Sequence, residues 1–441
     1  MMRIAYICAD PGVPVFGQKG CSIHVQEVIR SLLRQGAQVE LFATRLGGEP
    51  PVGLETVTVH QLPAIPKGEQ AAREQAALSA NLDLRLALER EAPFDLVYER
   101  YSLWSFTAME YAQSVGIPGL LEVNAPLIEE QEKHRGLCDR ASAEQVAERV
   151  FSAATALIAV SEEIKTYLEG YPEVGQRVQV IPNGVNPDRF PSNIKPSLPA
   201  SAETFTVGFV GTLKPWHGLP VLVEAFDRLY QQCSDTRLLI VGDGPERENL
   251  VADLSARGLL DATHFTGAVA PSEIPALLAS MTVAVAPYPA QTDFYFSPLK
   301  VYEYMAAGLP VVASDIGQLK SLIADEANGL LVSPGDSVAL ATALDRLRQD
   351  SNLATRLGQA ARKAMMQNHT WNAVTQRILH LAGFEPVSQL VGAIPISKRM
   401  QHKGDPPQPP LKSYALVASF LTIANGCAVW VLRLSFKLLN G

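Results

Sequence analysis

Cysteine is scarce in this chain. Five occur in 441 residues (Cys8, Cys21, Cys138, Cys233 and Cys427), odd in number and widely scattered. No C-x-x-C pair and no Cys/His cluster occurs, so neither a disulfide framework nor a cysteine zinc site is indicated, and free thiols in a reducing compartment are expected. Positive charge is also in deficit: 37 Lys and Arg against 45 Asp and Glu leave a formal net charge of -8. That sign is wrong for a broad nucleic-acid-binding surface. Charged residues make up only 19% and hydrophobic residues 47%, which excludes a disordered chain. The N-terminal run Met1-Met2-Arg3-Ile4-Ala5-Tyr6 enters a strand pattern directly. It lacks the charged region, apolar stretch and cleavage site of a signal peptide, so a cytoplasmic protein is expected.

What is present is an alternation. A length of 441 residues calls for two or three domains. Residues 3–9 read as a buried strand. Over 22–36, Val25, Val28, Ile29, Leu32 and Leu33 then fall on one face of a helix. Further strands are predicted at 39–43, 95–98, 120–123, 156–160 and 178–181. A Pro-rich stretch at 186–204 interrupts the rhythm and reads as an interdomain linker. After it, strands are predicted at 206–210, 238–241, 263–265, 283–286, 310–313 and 330–332, followed by helices over 339–366 and 371–381. Strand–helix alternation of this kind implies parallel sheets with helices on both faces, so the fold class is α/β. Two doubly wound domains would face a cleft, with ligands beyond the carboxyl ends of the strands. The expected division is 1–190 for the N-terminal domain, 191–204 for the linker and 205–370 for the C-terminal domain. A helix at 371–384 would return to the N-terminal domain.

Three glycine turns follow predicted strands. The first, Val15 to Gly20, contains Gly17 and Gly20. Glycine lets a backbone approach a ligand closely, and the helix beginning just beyond offers free N–H groups to anionic oxygens. A tight strand–helix turn needing glycine for its geometry is the plainer reading. The second, Val210 to Gly218, contains Gly211, Thr212, Lys214 and His217. A fixed Lys, a His and a helix N-terminus would stabilise the negative charge that develops on a departing diphosphate. A surface turn with a solvated Lys is the alternative. The third, 241–246, contains Gly242 and Gly244. Its G-x-G has no glycine three residues further on and no acidic partner suitably downstream, so NAD binding is not indicated.

The most informative segment runs from Phe294 to Ala313. Ser297 is a suitable N-cap and Pro298 a suitable first helical residue. Such a helix would aim its N-terminus at the cleft, with Leu299 and Lys300 beside it. Glu303 is placed either to accept bonds from a ribose diol or simply to complement the helix dipole.

These motifs together resemble the retaining glycosyltransferase family 4 (glycosyl transferases group 1), over about residues 3–382. The markers are the loop 17–20, Ile181-Pro182-Asn183-Gly184-Val185, 211–218, 242–246, and Glu303 through Met305-Ala306-Ala307-Gly308-Leu309-Pro310-Val311-Val312. The resemblance implies a GT-B fold of two facing Rossmann-like domains. It implies transfer of a sugar from a nucleotide-diphosphate donor with retained anomeric configuration, and no tightly bound cofactor or metal, protein cations and helix dipoles taking that role. Gly17 would approach the donor phosphates, backbone around 297–299 the diphosphate or sugar, and Glu303, the second Glu of the family's E-x7-E motif, the ribose. Tyr295 stands where the first Glu is usual. Thr212 replaces the usual Arg, His217 the usual Lys, and Asn124 the usual His near the donor sugar, so Lys214 and Lys300 are expected to supply the missing charge. The catalytic set implied is Lys214, Glu303 and Asn124. A non-catalytic nucleotide-sugar-binding scaffold of the same fold is the main alternative. A nucleotide-sugar epimerase lacks an acid–base pair here.

The C-terminal segment differs from the body, with six basic residues against two acidic ones over 385–441. Residues 385–412 read as a flexible basic linker. Residues 413–432 form an uncharged run of 20, long enough to span a bilayer. A candidate membrane anchor over 413–437, with the basic residues 398–412 against an anionic lipid surface, is expected. It would suit envelope-polysaccharide biosynthesis on a glycan or lipid-linked acceptor at the inner face of the membrane.

Overall fold

The computed structural model describes residues 1–201, 203–290 and 294–385, and the basic linker beyond Glu385 and the candidate anchor lie outside them. Seven parallel strands form the first sheet: β1 (Arg3–Cys8), β2 (Gln38–Ala43), β3 (Thr58–Gln61), β4 (Leu96–Arg100), β5 (Gly119–Val123), β6 (Ala156–Ala159) and β7 (Val178–Val180), in the order β3-β2-β1-β4-β5-β6-β7. Six parallel strands form the second: β8 (Phe205–Val210), β9 (Thr236–Val241), β10 (Thr263–Phe265), β11 (Val283–Ala286), β12 (Val311–Ser314) and β13 (Leu330–Val332), in the order β10-β9-β8-β11-β12-β13. Both sheets are α/β and doubly wound, as the alternation predicted.

The physical reason lies in burial. β1 and β9 carry consecutive apolar runs, Ile4–Cys8 and Leu238–Val241, because helices cover both faces of each sheet, and Ile4, Ala5, Tyr6 and Ile7 are all buried. The short β3 was not predicted. Its Thr-Val-His-Gln sequence is polar and lies at a sheet edge, where no buried run is needed.

Two helical expectations need correction. The single helix expected over 339–366 is two, Ser337–Gln349 and Ser351–Asn368. Asp350 leaves helical geometry between them and accepts a bond from Leu353 N at 2.9 Å, capping the second. Ser297 is not the N-cap of the next cleft helix. That helix is Leu299–Ala306, with Pro298 at the cap position and no side-chain cap bond. The Ser297 hydroxyl is engaged instead by Asn183 N at 3.4 Å and Tyr302 OH at 3.3 Å.

Helix Trp371–Leu381 lies on helix Gly20–Arg34, and Trp371, Val374, Ile378 and Leu379 join the core under the first sheet. Each such side chain contributes roughly 2 kcal/mol by leaving water. Ser31 and Thr375 share a buried hydroxyl–hydroxyl bond of 2.6 Å, so the end of the described chain is tied to the helix that opens it. Among the described residues no helix is long and apolar enough to cross a membrane.

Candidate active site

In each sheet the strand order reverses direction at one point: between β1 and β4 in the first, between β8 and β11 in the second. Loops leaving a sheet at such a point splay apart and leave a crevice. Here the loops of both sheets border one cavity of about 750 Å³. Gly17, Gly20, His24, Arg100 and Asn124 line it from the first sheet, and Gly211, Thr212, His217, Gly242, Lys300 and Glu303 from the second. Ser297 and Leu299 line it as well.

The first wall is held by side-chain bonds to loop carbonyls. Gln26 donates to Val15 O at 2.7 Å and to Gly17 O at 2.9 Å, fixing the turn that follows β1. A side chain at Gly17 would strike Pro14, with its Cβ 3.0 Å from the Pro14 carbonyl oxygen, so the turn's own geometry requires glycine there. Behind the wall, His24 Nε2 meets Glu122 Oε1 at 2.7 Å, both side chains almost sealed. Desolvation would raise the Glu122 pKa, but its pairing with His24 and the nearby Arg100 outweighs this and holds the carboxyl below its ordinary range.

The second wall is built from two interlocked glycine turns. Gly211 N donates to Val241 O at 2.9 Å and Leu213 N to Asp243 O at 3.0 Å. A Cβ on Gly242 would lie 2.2 Å from Gly211 O, so glycine is what lets these turns nest. Lys300 reaches into this nest from the helix Leu299–Ala306. Its Nζ is sealed from solvent and finds no hydrogen-bond partner among the described residues. It lies 4.3 Å from the Phe209 ring centroid and 5.3 Å from that of Tyr288, whose π faces partly offset the cost of a buried charge. Burial still pushes its pKa down to about 7.

Not every expected residue reaches the cavity. Lys214, Gly244, Tyr295 and Pro298 are absent from its lining. Lys214 lies over the Trp216 ring, 5.4 Å from its centroid. Gly244 serves packing, since a Cβ there would come within 2.6 Å of the Leu213 backbone. Tyr295 packs against the core of the first sheet, its hydroxyl 3.1 Å from Glu130 and its carbonyl bonded by Ser161 at 2.7 Å. His217 lines the cavity but is not the cation its sequence position suggested. Its Nδ1 sits 2.6 Å from the Thr212 carbonyl, so that nitrogen carries the proton. Burial and the adjacent Lys300 push its pKa down to about 3, leaving a neutral ring.

Several lining residues were not singled out by the sequence, among them four with charged or titratable side chains. Arg189 donates to Glu303 Oε1 at 2.6 Å and to Pro271 O at 2.8 Å. Desolvation outweighs this pairing and leaves the Glu303 pKa raised. Arg100, Arg45 and His24 are the others. No local spacing marks them, because what brings them to the cavity is tertiary: Arg189 and His24 meet carboxylates distant in sequence.

Residues 19–189 match the model of Glycosyltransferase Family 4, and residues 204–350 that of Glycosyl transferases group 1. D-inositol 3-phosphate glycosyltransferase of Stackebrandtia nassauensis is 28% identical over 369 residues, 78% of this chain and 82% of its own length. Sucrose-phosphate synthase from Thermosynechococcus elongatus shares the fold with a TM-score of 0.67 at 22% identity, over 86% of this chain and 98% of that one. Anabaena Alr3699/HepE in complex with UDP and glucose has a TM-score of 0.65 at 20% identity, over 87% and 100%. The chain belongs to the group 1 glycosyltransferases of family 4 and has their two-sheet GT-B fold, which makes it a transferase by family.

Proposed function

We propose that this chain transfers a hexosyl group from a nucleotide-diphosphate sugar to a hydroxyl of a glycan or lipid-linked acceptor, with retention of anomeric configuration. The observation that carries the reading is the Lys300 amine, sealed beside the Gly211 and Gly242 turns with no hydrogen-bond partner among the described residues. An unpaired buried amine costs stability, and an anionic ligand removes that cost. A diphosphate fits: its oxygens would meet Lys300, the N–H groups of the glycine turns and the amino end of the helix Leu299–Ala306.

In this reading the acceptor oxygen attacks the anomeric carbon from the face the diphosphate leaves. The new C–O bond forms as the C–O bond to phosphate breaks, and a departing phosphate oxygen takes the hydroxyl proton. Lys300 then carries the charge stabilisation in place of Lys214, which lies over the Trp216 ring outside the cavity lining. Glu303 would hold the ribose diol, steadied by Arg189, and Asn124 would face the donor sugar. No resident cofactor is part of this scheme. Attachment to the inner face of the membrane through 398–437 belongs to the same reading and rests on sequence alone.

A thermal-shift panel of UDP, GDP, ADP and their sugars tests it. One nucleotide class should raise the melting temperature, since a ligand that binds only the folded state stabilises it. Transfer products from a matched donor should retain the α or β anomer by proton NMR. An inverted product would overturn the stereochemistry, and no stabilisation by any nucleotide would overturn the function.

A further inference from the structure

The charges in the cavity wall are distributed unevenly. The first-sheet side of the lining carries Lys19, Arg45 and Arg100 and no carboxylate among the described residues, whereas the remainder carries Asp243 and Glu303 with its cations. In a chain of formal net charge -8, three cations on one wall without an acid is a departure from the rest of the molecule.

The three cations are not equivalent. Lys19 and Arg45 are exposed on loops. Arg45 belongs to the loop after β2, and its Nη1 makes only a long 3.4 Å bond to Pro11 O. Arg100 ends β4, at the point where the strand order reverses. Its Nη1 is sealed from solvent and donates to nothing among the described residues. A guanidinium is planar, permanently charged and forked, and suits bidentate capture of a carboxylate or phosphate. Burial disfavours the charge on Arg100, but Glu122 together with the neighbouring Cys8, Tyr6 and Cys21 outweighs it, so the group stays charged at any working pH. Glu122 itself bonds His24, and no bond from it to Arg100 occurs among the described residues.

The donor diphosphate has its own provision on the other wall, in Lys300 and the nested glycine turns. The cations of the first wall are therefore surplus to the donor, and they lie on the side from which an acceptor would enter. We propose that the acceptor carries an anionic group, a phosphate or a carboxylate, near its reacting hydroxyl, and that Arg100 grips it from within while Arg45 meets it at the mouth of the cavity. The inference rests on the glycosyl-transfer reading given above and adds the chemical class of the acceptor to it.

The test uses the full chain saturated with the nucleoside diphosphate that stabilises it best. Glucose, glucose 6-phosphate and glucuronate are titrated by calorimetry; they share a ring and differ in the anion. At least one charged sugar should bind at least about tenfold more tightly than glucose. The phosphate and carboxylate arms tell the two anions apart. Arg100→Gln should abolish that preference while changing nucleotide affinity less than about twofold, and Arg100→Lys should restore part of it. Arg45→Gln, on an exposed loop where folding is not at risk, should reduce the preference by a smaller factor. Equal binding of all three sugars, or an Arg100→Gln variant that loses nucleotide as strongly as anion, overturns the proposal while leaving glycosyl transfer standing. Failure of the parent protein to bind any nucleotide removes both.

Discussion

The Arg189 guanidinium bonds the Glu303 carboxylate at 2.6 Å across 114 residues of sequence, joining the segment between the two sheets to the helix that borders the cavity. Arg189 is anchored in turn on Pro271 O at 2.8 Å, so the carboxylate is held in one place. Glu303→Gln should keep the shape and lose the charged acceptor, and kcat/KM should fall by about 100-fold, near the low end of losing one transition-state or substrate contact of this kind. Arg189→Gln leaves the carboxylate half-buried and unpaired, which should lower stability by about 2 kcal/mol and raise the donor KM. Urea melts and steady-state kinetics check both; normal kinetics in both variants would remove Glu303 from the site.

Lys300 offers a test that separates stability from function. Its pKa is pushed down to about 7 by burial, from an ordinary 10.5. Between those values the unfolded chain binds a proton that the folded chain does not, so stability rises with pH through that window and is lowest below it. Lys300→Met should therefore melt higher than the parent near neutral pH and below, and the gap should close as pH approaches 10.5. The same variant should lose about 100- to 1,000-fold in turnover. A variant that melts lower at every pH would show that the amine is already well paired.

The same depressed pKa predicts proton uptake. At a pH above about 7 the free amine is largely neutral, and a bound diphosphate should draw a proton onto it. Calorimetry of nucleotide binding in buffers of different ionisation enthalpy should show this uptake, and it should vanish in Lys300→Met. Binding without uptake in the parent would mean that the diphosphate lies elsewhere.

His217 should behave as a neutral ring. With Nδ1–H donated to Thr212 O and Lys300 nearby, its imidazole should not titrate between about pH 5 and 8 by NMR. Any inflection of activity in that range should survive His217→Gln. A ring that protonates near pH 6.5 would restore it as a cation for the leaving group.

Gly218 closes the turn on which these residues stand. Its φ is +69°, and a Cβ there would fall 1.6 Å from Pro287 O, across the switch between β8 and β11. Gly218→Ala should cost at least about 2 kcal/mol, more than strain alone. Gly36→Ala is the control, with φ +82° but open space around it, and should cost about 1 kcal/mol. Equal losses in the two, measured by urea melts, would show that the Pro287 contact yields freely.

Most of the architecture was readable in advance because strands buried on two faces are predominantly apolar on consecutive residues, and glycines recur where strand–helix turns approach one another. Of the strands described, β3 was missed, since an edge strand may be polar. The break at Asp350 was missed because helical spacing continues on both sides of it. The glycine turns, Glu303 and Lys300 were placed in the site by local pattern and by resemblance to the family.

The primary structure thus settled two wound sheets, a cleft between them and the glycine turns that border it, since each depends on periodicity and residue type within short windows. Folding in three dimensions decided which charges meet. It turned Lys214 onto Trp216 and Lys300 into the cavity, neutralised His217, fixed Tyr295 on the opposite core, and brought Arg189 to Glu303 and Arg100 to the cavity wall. Electrostatic pairing depends on distance and burial through space, and neither is encoded in spacing along the chain.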